Sequence, residues 1–406
     1  MKVSVSISEF KDALNVVSLT LSKRMGSADN ALLYLRAAKT ATGGAMYLFS
    51  FDGIARTMVK IQANVEEDGK TVINPTNLIG SLSKVVRDGE LTLTQGEKKD
   101  KLSITGTGRK MQFAASGEMD NFEQLIRSMP LAQAETFTVS ASTFKSLIRQ
   151  SAPFVDRPDK DNSTGFNRGD TNLLIKATAN GYEACATEGN ALAVIQVKDT
   201  AVSAQAEDLR IPIRSVLNLK NMVEKMKGEN IRVIIGRDSS NEPNALFLRT
   251  DNVFYGTALD GAKFRDYQKI LNMPISHTVT LPKANFQALI SNATPFTGGL
   301  QEVDGLLVML IGKTKIKTTA GKGTETFEEE SEVTPVKWPE GPEGALRLAF
   351  KPDYLANVAR VVDGEFITVA IAENQVIAFF VSEKDDVKSI YAVARFADQA
   401  PLAKAA

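Results

Sequence analysis

Apolar and polar residues alternate from the start of the chain. Val3, Val5 and Ile7 are separated by Ser4 and Ser6, a period of two that predicts a strand. The period then changes: Phe10, Leu14 and Val17 recur at i, i+4 and i+7, one stripe of an amphipathic helix. The same change occurs twice more. A strand over 136–140 runs into a helix with Phe144, Leu147 and Ile148, and a strand over 277–281 into one with Phe286, Leu289 and Ile290. In each helix the first core position is a phenylalanine. Three alternating strands should follow, at 31–38, 46–51 and 57–63 in the first case, with Gly or Asp between them. A further short strand (70–73, 209–211, 345–350) then ends at Pro75, Pro212 or Pro352. A helix can open at such a proline, because the first-turn N–H it lacks would have no partner anyway. The chain therefore reads as strand–helix–three strands, six times.

The joins repeat as well. Gly117-Glu118-Met119-Asp120-Asn121-Phe122 runs on to Pro130, and Gly261-Ala262-Lys263-Phe264-Arg265-Asp266-Tyr267 runs on to Pro274. The expected organisation is α+β, with antiparallel sheets and three similar domains at 1–133, 134–276 and 277–396. A tail over 397–406 is expected to be disordered. The length of 406 residues fits three domains.

Composition narrows the function. No apolar stretch reaches the roughly 20 residues of a membrane span, and the alternating N-terminus is unlike a signal peptide. A single cysteine, Cys185, suits a reducing compartment, so a cytoplasmic protein is expected. One histidine, His277, and that cysteine cannot build a zinc site and leave little room for nucleophilic catalysis. No enzyme activity, cofactor or metal is expected. Gly321-Lys322-Gly323-Thr324 lacks the spacing of a phosphate loop and reads as a hairpin turn. Glu328, Glu329 and Glu330 are expected across from Lys313, Lys315 and Lys317 as a charge ladder. Asp156, Asp159 and Asp161 are interleaved with Arg157 and Lys160, which disfavours a magnesium site.

Lys+Arg and Asp+Glu are equal at 48 each. Their distribution is uneven. The six predicted helices carry eleven Lys and Arg against four Asp and Glu, so the rest of the chain is acidic by the same margin. Asn77, Ser81, Asn218, Asn221, Asn285, Ser291, Asn292 and Asn357 add short polar side chains to the same segments. Such faces suit sequence-independent contact with phosphates. They equally suit an ordinary solvated helix face.

With these features together, the chain resembles the bacterial beta sliding clamp of DNA polymerase III over nearly its whole length. Thr187-Glu188-Gly189-Asn190-Ala191-Leu192-Ala193 stands where that family has Thr-Asp-Gly-His-Arg-Leu-Ala. Arg265-Asp266-Tyr267-Gln268-Lys269-Ile270-Leu271 is similar to its Pro-Asp-Tyr-x-x-Val-Leu segment, and Phe51-Asp52-Gly53 echoes the turn in the first domain. Ala288-Leu289-Ile290-Ser291-Asn292 resembles its ring-interface segment. The resemblance implies a homodimeric ring with helices inside and sheets outside, encircling double-stranded DNA as a processivity factor. It implies contact with DNA by Lys23, Arg24, Lys84, Arg87, Lys145, Arg149, Arg157, Lys160, Lys220, Lys225, Lys227 and Arg360, and a dimer interface using Leu289 and Ile290. It also implies a pocket for short peptides of the replicative polymerase, the clamp loader and repair proteins. That pocket would be built from Phe166, Thr187, Gly189, Asn190, Ala191, Leu192, Ile270, Ile390, Ala392 and Ala394.

Asn190-Ala191, Arg265 and the C-terminal alanines depart from the family pattern. They predict weaker binding of standard partner peptides, as in a divergent member from a phage or plasmid with its own polymerase. Two other readings stay open. One is an interaction scaffold that keeps the fold without circling DNA. The other is a trimeric clamp with two domains per subunit, against which the third repeat argues.

Overall fold

The computed structural model describes residues 1–21, 32–41, 43–84, 89–96, 98, 100–106, 108–115, 119–155, 172–199, 207–297, 305–322, 324–339 and 344–396. Among them a strand, a helix and three strands follow one another six times. The first repeat is β1 (Lys2–Ser6), α1 (Ile7–Val17), β2 (Leu33–Thr40), β3 (Gly43–Phe51) and β4 (Ala55–Glu67). The second is β5 (Gly69–Ile73), α2 (Thr76–Ser83), β6 (Glu90–Gln95), β7 (Lys101–Gly106) and β8 (Arg109–Ala114). A linking helix, α3 (Met119–Arg127), leads to β9 (Phe137–Ser140), α4 (Ala141–Ser151), β10 (Asn172–Thr178), β11 (Gly181–Thr187) and β12 (Ala191–Lys198). The fourth repeat is β13 (Leu209–Pro212), α5 (Ile213–Lys225), β14 (Asn230–Arg237), β15 (Pro243–Arg249) and β16 (Val253–Ala258). A single turn, α6 (Gln268–Leu271), precedes β17 (Ile275–Pro282), α7 (Lys283–Ala293), β18 (Leu307–Ile311), β19 (Lys315–Lys322), β20 (Glu325–Glu332) and an added strand β21 (Thr334–Lys337). The sixth is β22 (Leu346–Phe350), α8 (Pro352–Val361), β23 (Phe366–Ala372), β24 (Ile377–Lys384) and β25 (Val387–Ala394).

The helices form where the apolar period is helical. α1 buries Ile7, Phe10, Ala13, Leu14, Val16 and Val17, and α8, which opens on Pro352, buries Tyr354, Leu355, Val358 and Val361. None among the described residues is long and apolar enough to cross a membrane.

Two compact units result. One comprises Met1–Phe144 and Arg214–Gly261, the other Lys145–Ile213 and Ala262–Ala406. In the first, a twelve-stranded sheet runs β8-β7-β6-β1-β4-β16-β15-β14-β9, with β3, β2 and β5 branching from β4. The second holds a nine-stranded sheet, β13-β10-β11-β12-β25-β24-β23-β17-β21, and a four-stranded sheet, β20-β19-β18-β22. The units cut the chain differently from the boundaries at 133 and 276 because two ladders join distant repeats. β4 pairs with β16, with Val59 opposite Val253, and β12 with β25, with Leu192 opposite Ala392.

The charge ladder is present on β19 and β20, where Lys317 meets Glu328 at 2.7 Å and Lys315 meets Glu330 at 3.2 Å. These are diagonal pairs, since the register sets Lys317 against Glu330 and Lys315 against Glu332. Of the segment 321–324, Gly321 and Lys322 close β19 and Thr324 precedes β20, while Gly323 and the tail 397–406 lie outside the described residues.

Candidate helix-face and peptide-pocket sites

Helix packing decides which basic residues face outward. Lys84 is exposed at the C-cap of α2, and Lys225 is exposed in the last turn of α5. Arg360 is exposed in the last turn of α8, where Nη2 donates to Asn357 Oδ1 at 2.6 Å. Lys145 and Lys220 are half-buried. Arg149 is exposed but lies 3.2 Å from the Asp363 carboxylate. Lys227 falls two residues beyond α5 and pairs with Asp12 at 3.0 Å. Lys23, Arg24, Arg87, Arg157 and Lys160 lie outside the described residues.

Asp363 is the centre of a cationic cluster, with Lys384 at 3.4 Å and Lys283 at 3.9 Å as well as Arg149. Burial pushes its carboxyl up, but the Gly364 N–H and the charges of Lys384 and Arg149 outweigh this and hold it below the ordinary value.

The polar side chains are less available than their spacing suggests. Asn218 donates to Asp52 Oδ2 at 2.9 Å, Asn285 to Ser331 Oγ at 3.1 Å and Asn292 to Glu329 Oε2 at 3.1 Å. Asn357 donates to the Pro153 carbonyl at 3.3 Å. A helix-face pattern shows which residues leave the core; it does not show what their own fold offers them as acceptors.

The pocket residues converge within the second unit. Gly189 takes φ +93°, a left-handed geometry that favours glycine, and its N–H donates to Thr187 Oγ1 at 3.1 Å. The Thr187 hydroxyl donates in turn to the Ala191 carbonyl at 2.9 Å, closing the turn between β11 and β12. The Ala394 N–H donates to the Asn190 carbonyl at 2.8 Å, which ties this turn to the end of β25. Leu192 and Ala392 are buried in one apolar cluster with Leu174, Cys185, Val194, Tyr267 and Phe379. Ile270 and Ile390 pack on that cluster half-buried. Ala191 differs. Strand alternation turns its side chain to the opposite face from Leu192, so it offers backbone to the turn. Phe166 lies outside the described residues.

A polar network beneath this cluster has no counterpart among the expectations. Glu183 on β11 is a buried charge, 4% exposed. It accepts the Tyr267 hydroxyl proton, a hydrogen bond from Gln196 Nε2 at 2.7 Å and an ion pair from Lys176 at 3.0 Å. The Lys176 ammonium also lies 5.1 Å from the centre of the Tyr267 ring. Burial pushes the Glu183 carboxyl up, but the hydrogen bonds of Tyr267, Gln196 and Lys176 outweigh it and hold it below its ordinary value. Burial and the same hydrogen bond push the Tyr267 phenol far up. The network anchors the 265–271 segment to the sheet that carries Leu192 and Ile390. Its one sequence signal is a glutamate inside the apolar run Gly181–Thr187.

Leu289 and Ile290, expected at an interface, both lie on α7. Each is 1% exposed within a single chain, because the stripe Phe286, Leu289, Ile290, Ala293 is the core face of α7.

Two long sheets built from repeated strand–helix–three-strand units define the class of fold as that of the DNA clamps. No family model matches the chain. It is 23% identical over 292 residues to the beta sliding clamp of Synechococcus elongatus, covering 71% of this chain and 72% of that protein. The structure of the DNA polymerase III beta subunit from Thermotoga maritima superposes with a TM-score of 0.77, at 15% identity, over 98% of this chain and 99% of that one. The sliding clamp of Pseudomonas aeruginosa bound to griselimycin gives a TM-score of 0.79 at 16% identity, over 98% and 99%. The particular fold is that of the bacterial DNA polymerase III beta sliding clamp, and this chain resembles that protein throughout.

Proposed function

We propose that the chain is a non-enzymatic sliding clamp of three domains (1–133, 134–276, 277–396). Two copies close a ring around duplex DNA in the cytoplasm, and short peptides of the polymerase, the loader and repair proteins dock on the second unit's pocket. The observation that carries this reading is the charge distribution on the repeated fold. Exposed Lys84, Lys225 and Arg360 stand at helix ends, while acidic residues crowd strands such as β20. Exposed cations at helix ends can hold DNA phosphates without reading bases.

Two sheet edges support ring closure. β8 and β20 each end a sheet, so their outer backbone groups lack a strand partner. β8 carries exposed Arg109 and Lys110, and β20 carries exposed Glu325, Glu328, Glu330 and Glu332. One copy's β8 against the other's β20 would extend a sheet between opposite charges.

Sedimentation equilibrium with DNA retention tests the reading. The expected result is a mass near twice 44.0 kDa and retention on nicked circular DNA that is lost when the circle is cut. A chain that stays monomeric and is held equally by circles and linear DNA overturns it. That outcome would favour the scaffold reading, which the existing ion pairs of Arg149 and Lys227 also support.

A further inference from the structure

The first unit holds a cavity of about 570 Å³ where the β3–β4 turn meets β14, β15, β16 and the segment after α3. Phe51, Ile54, Pro130 and Phe247 give it apolar walls; among the described residues Arg56 and Arg237 are its charged residues and no Asp or Glu lines it. Its β3–β4 turn leads into β4, which ladders with the distant β16, as the Thr187–Leu192 turn leads into β12, which ladders with β25.

The sheet register builds the charged side of this cavity. Phe247 on β15 lies opposite Gly256 on β16, which lies opposite Arg56 on β4. A Cβ at Gly256 would stand 2.6 Å from the Phe247 ring and 3.3 Å from Arg56 Cγ. The missing side chain therefore lets the ring and the arginine meet across the row. The Arg56 guanidinium lies 5.5 Å from the centre of the Phe247 ring, a cation–π contact. Its Nη1 donates to Ser128 Oγ at 2.8 Å, and its buried Nε donates to no protein atom. Burial alone pulls its pKa down, with no carboxylate acting against it. Arg237, at the rim, donates from Nη1 to the Asn241 carbonyl at 2.8 Å.

A half-buried guanidinium on an aromatic floor, with a second arginine nearby and no acid in the walls, is complementary to a carboxylate beside an apolar group. The volume suits one or two side chains rather than a whole domain. We infer that this cavity docks an extended acidic peptide segment. A carboxylate of the peptide meets Arg56, and a neighbouring aliphatic or aromatic side chain fills the space between Phe247, Ile54 and Pro130. The inference stands on this unit's geometry and does not depend on the peptide site proposed for the other.

The test uses the full chain and a fluorescein-labelled hexapeptide of alternating leucine and glutamate, read by fluorescence anisotropy. Saturable binding is expected, weakened about tenfold or more by Arg56→Gln and by replacing the peptide's glutamates with glutamine. Arg237→Gln, which leaves the strand row intact, should weaken binding by about threefold. Ile270→Ala, in the other unit, should leave the affinity for this hexapeptide as it is in the parent chain. Failure to bind overturns the inference, as does equal binding of the glutamine peptide. So does a loss of binding on Ile270→Ala, which would place the peptide in the other unit. Displacement of the peptide by duplex DNA, with the duplex's own binding lost on Arg56→Gln, would assign the cavity to phosphates and overturn it too.

Discussion

At the residue scale the most consequential side chain is Glu183. Removing it would leave the Tyr267 hydroxyl and the Lys176 ammonium without their acceptor. Breaking a buried charged pair by deleting one partner costs about 3 kcal/mol, so Glu183→Ala should lower the urea midpoint of the second unit by that equivalent. Cys185 offers a direct readout. It is fully buried beside this network, and burial pushes its thiol well above the ordinary value. Alkylation by iodoacetamide should be negligible in the native protein and should accelerate in the variant. Rapid labelling of the unmodified chain would contradict its burial. The pH dependence has a defined sign. Because the folded Glu183 carboxyl is held low, its contribution is present above the unfolded carboxylate value and is lost as pH falls through the folded one. The urea midpoint of the second unit should therefore fall in acid below the usual carboxylate range, and Glu183→Ala should flatten that fall. In the other unit, Gly256→Ala places a methyl into the Phe247–Arg56 row and should cost about 1–3 kcal/mol, measured by urea unfolding. Neither Glu183 nor Gly256 has a sequence signature that reveals its role. One looks like a strand glutamate and the other like a strand glycine, and only the strand register shows what each faces.

At the element scale, periodicity identified nearly every strand and helix, because burial of one face imposes a period of two or 3.6 wherever a sheet meets a helix. It was less exact at the ends. α1 stops at Val17, and a short 3₁₀ turn, Ser18–Thr20, carries the chain on. α5 stops at Lys225, before Gly228 with φ +121°, so Lys227 is not a helix residue. These boundaries sort the basic residues. The double variant Lys84→Glu, Lys225→Glu should weaken retention on circular DNA and make it less salt-sensitive, while urea unfolding stays unchanged. Equal retention would remove these helix ends from the DNA-contacting surface. The β19–β20 ladder should matter far less to stability. Its pairs are solvent-accessible, so Lys317→Ala should leave the urea midpoint essentially unchanged.

At the scale of the whole molecule, the proposed ring makes a demand on β8 and β20. If their opposite charges meet between two copies, Lys110→Glu should weaken the dimer in sedimentation equilibrium, and adding Glu328→Lys should restore part of it. Two variants that behave identically to the parent would place the contact elsewhere. Much of the molecule is legible from sequence by itself. The sixfold repeat, the α+β class, the apolar stripes of the helices and the excess of cations on them all follow from local periodicity and charge, which need no tertiary context. The turn at Thr187 and the residues around Ile270 could also be matched by position. The rest was decided by the tertiary structure. The β4–β16 and β12–β25 ladders join strands far apart in the chain, so no local pattern announces them. They bring together Leu192, Ala392 and Tyr267 in one cluster and set Arg56 beside Phe247 in another corner. On α7, Leu289 and Ile290 are buried within the single chain, where β17, β19, β20, β23 and α8 pack on that helix. Periodicity tells which side of a helix is apolar; whether that side meets its own sheet or a second chain depends on what the distant strands place against it.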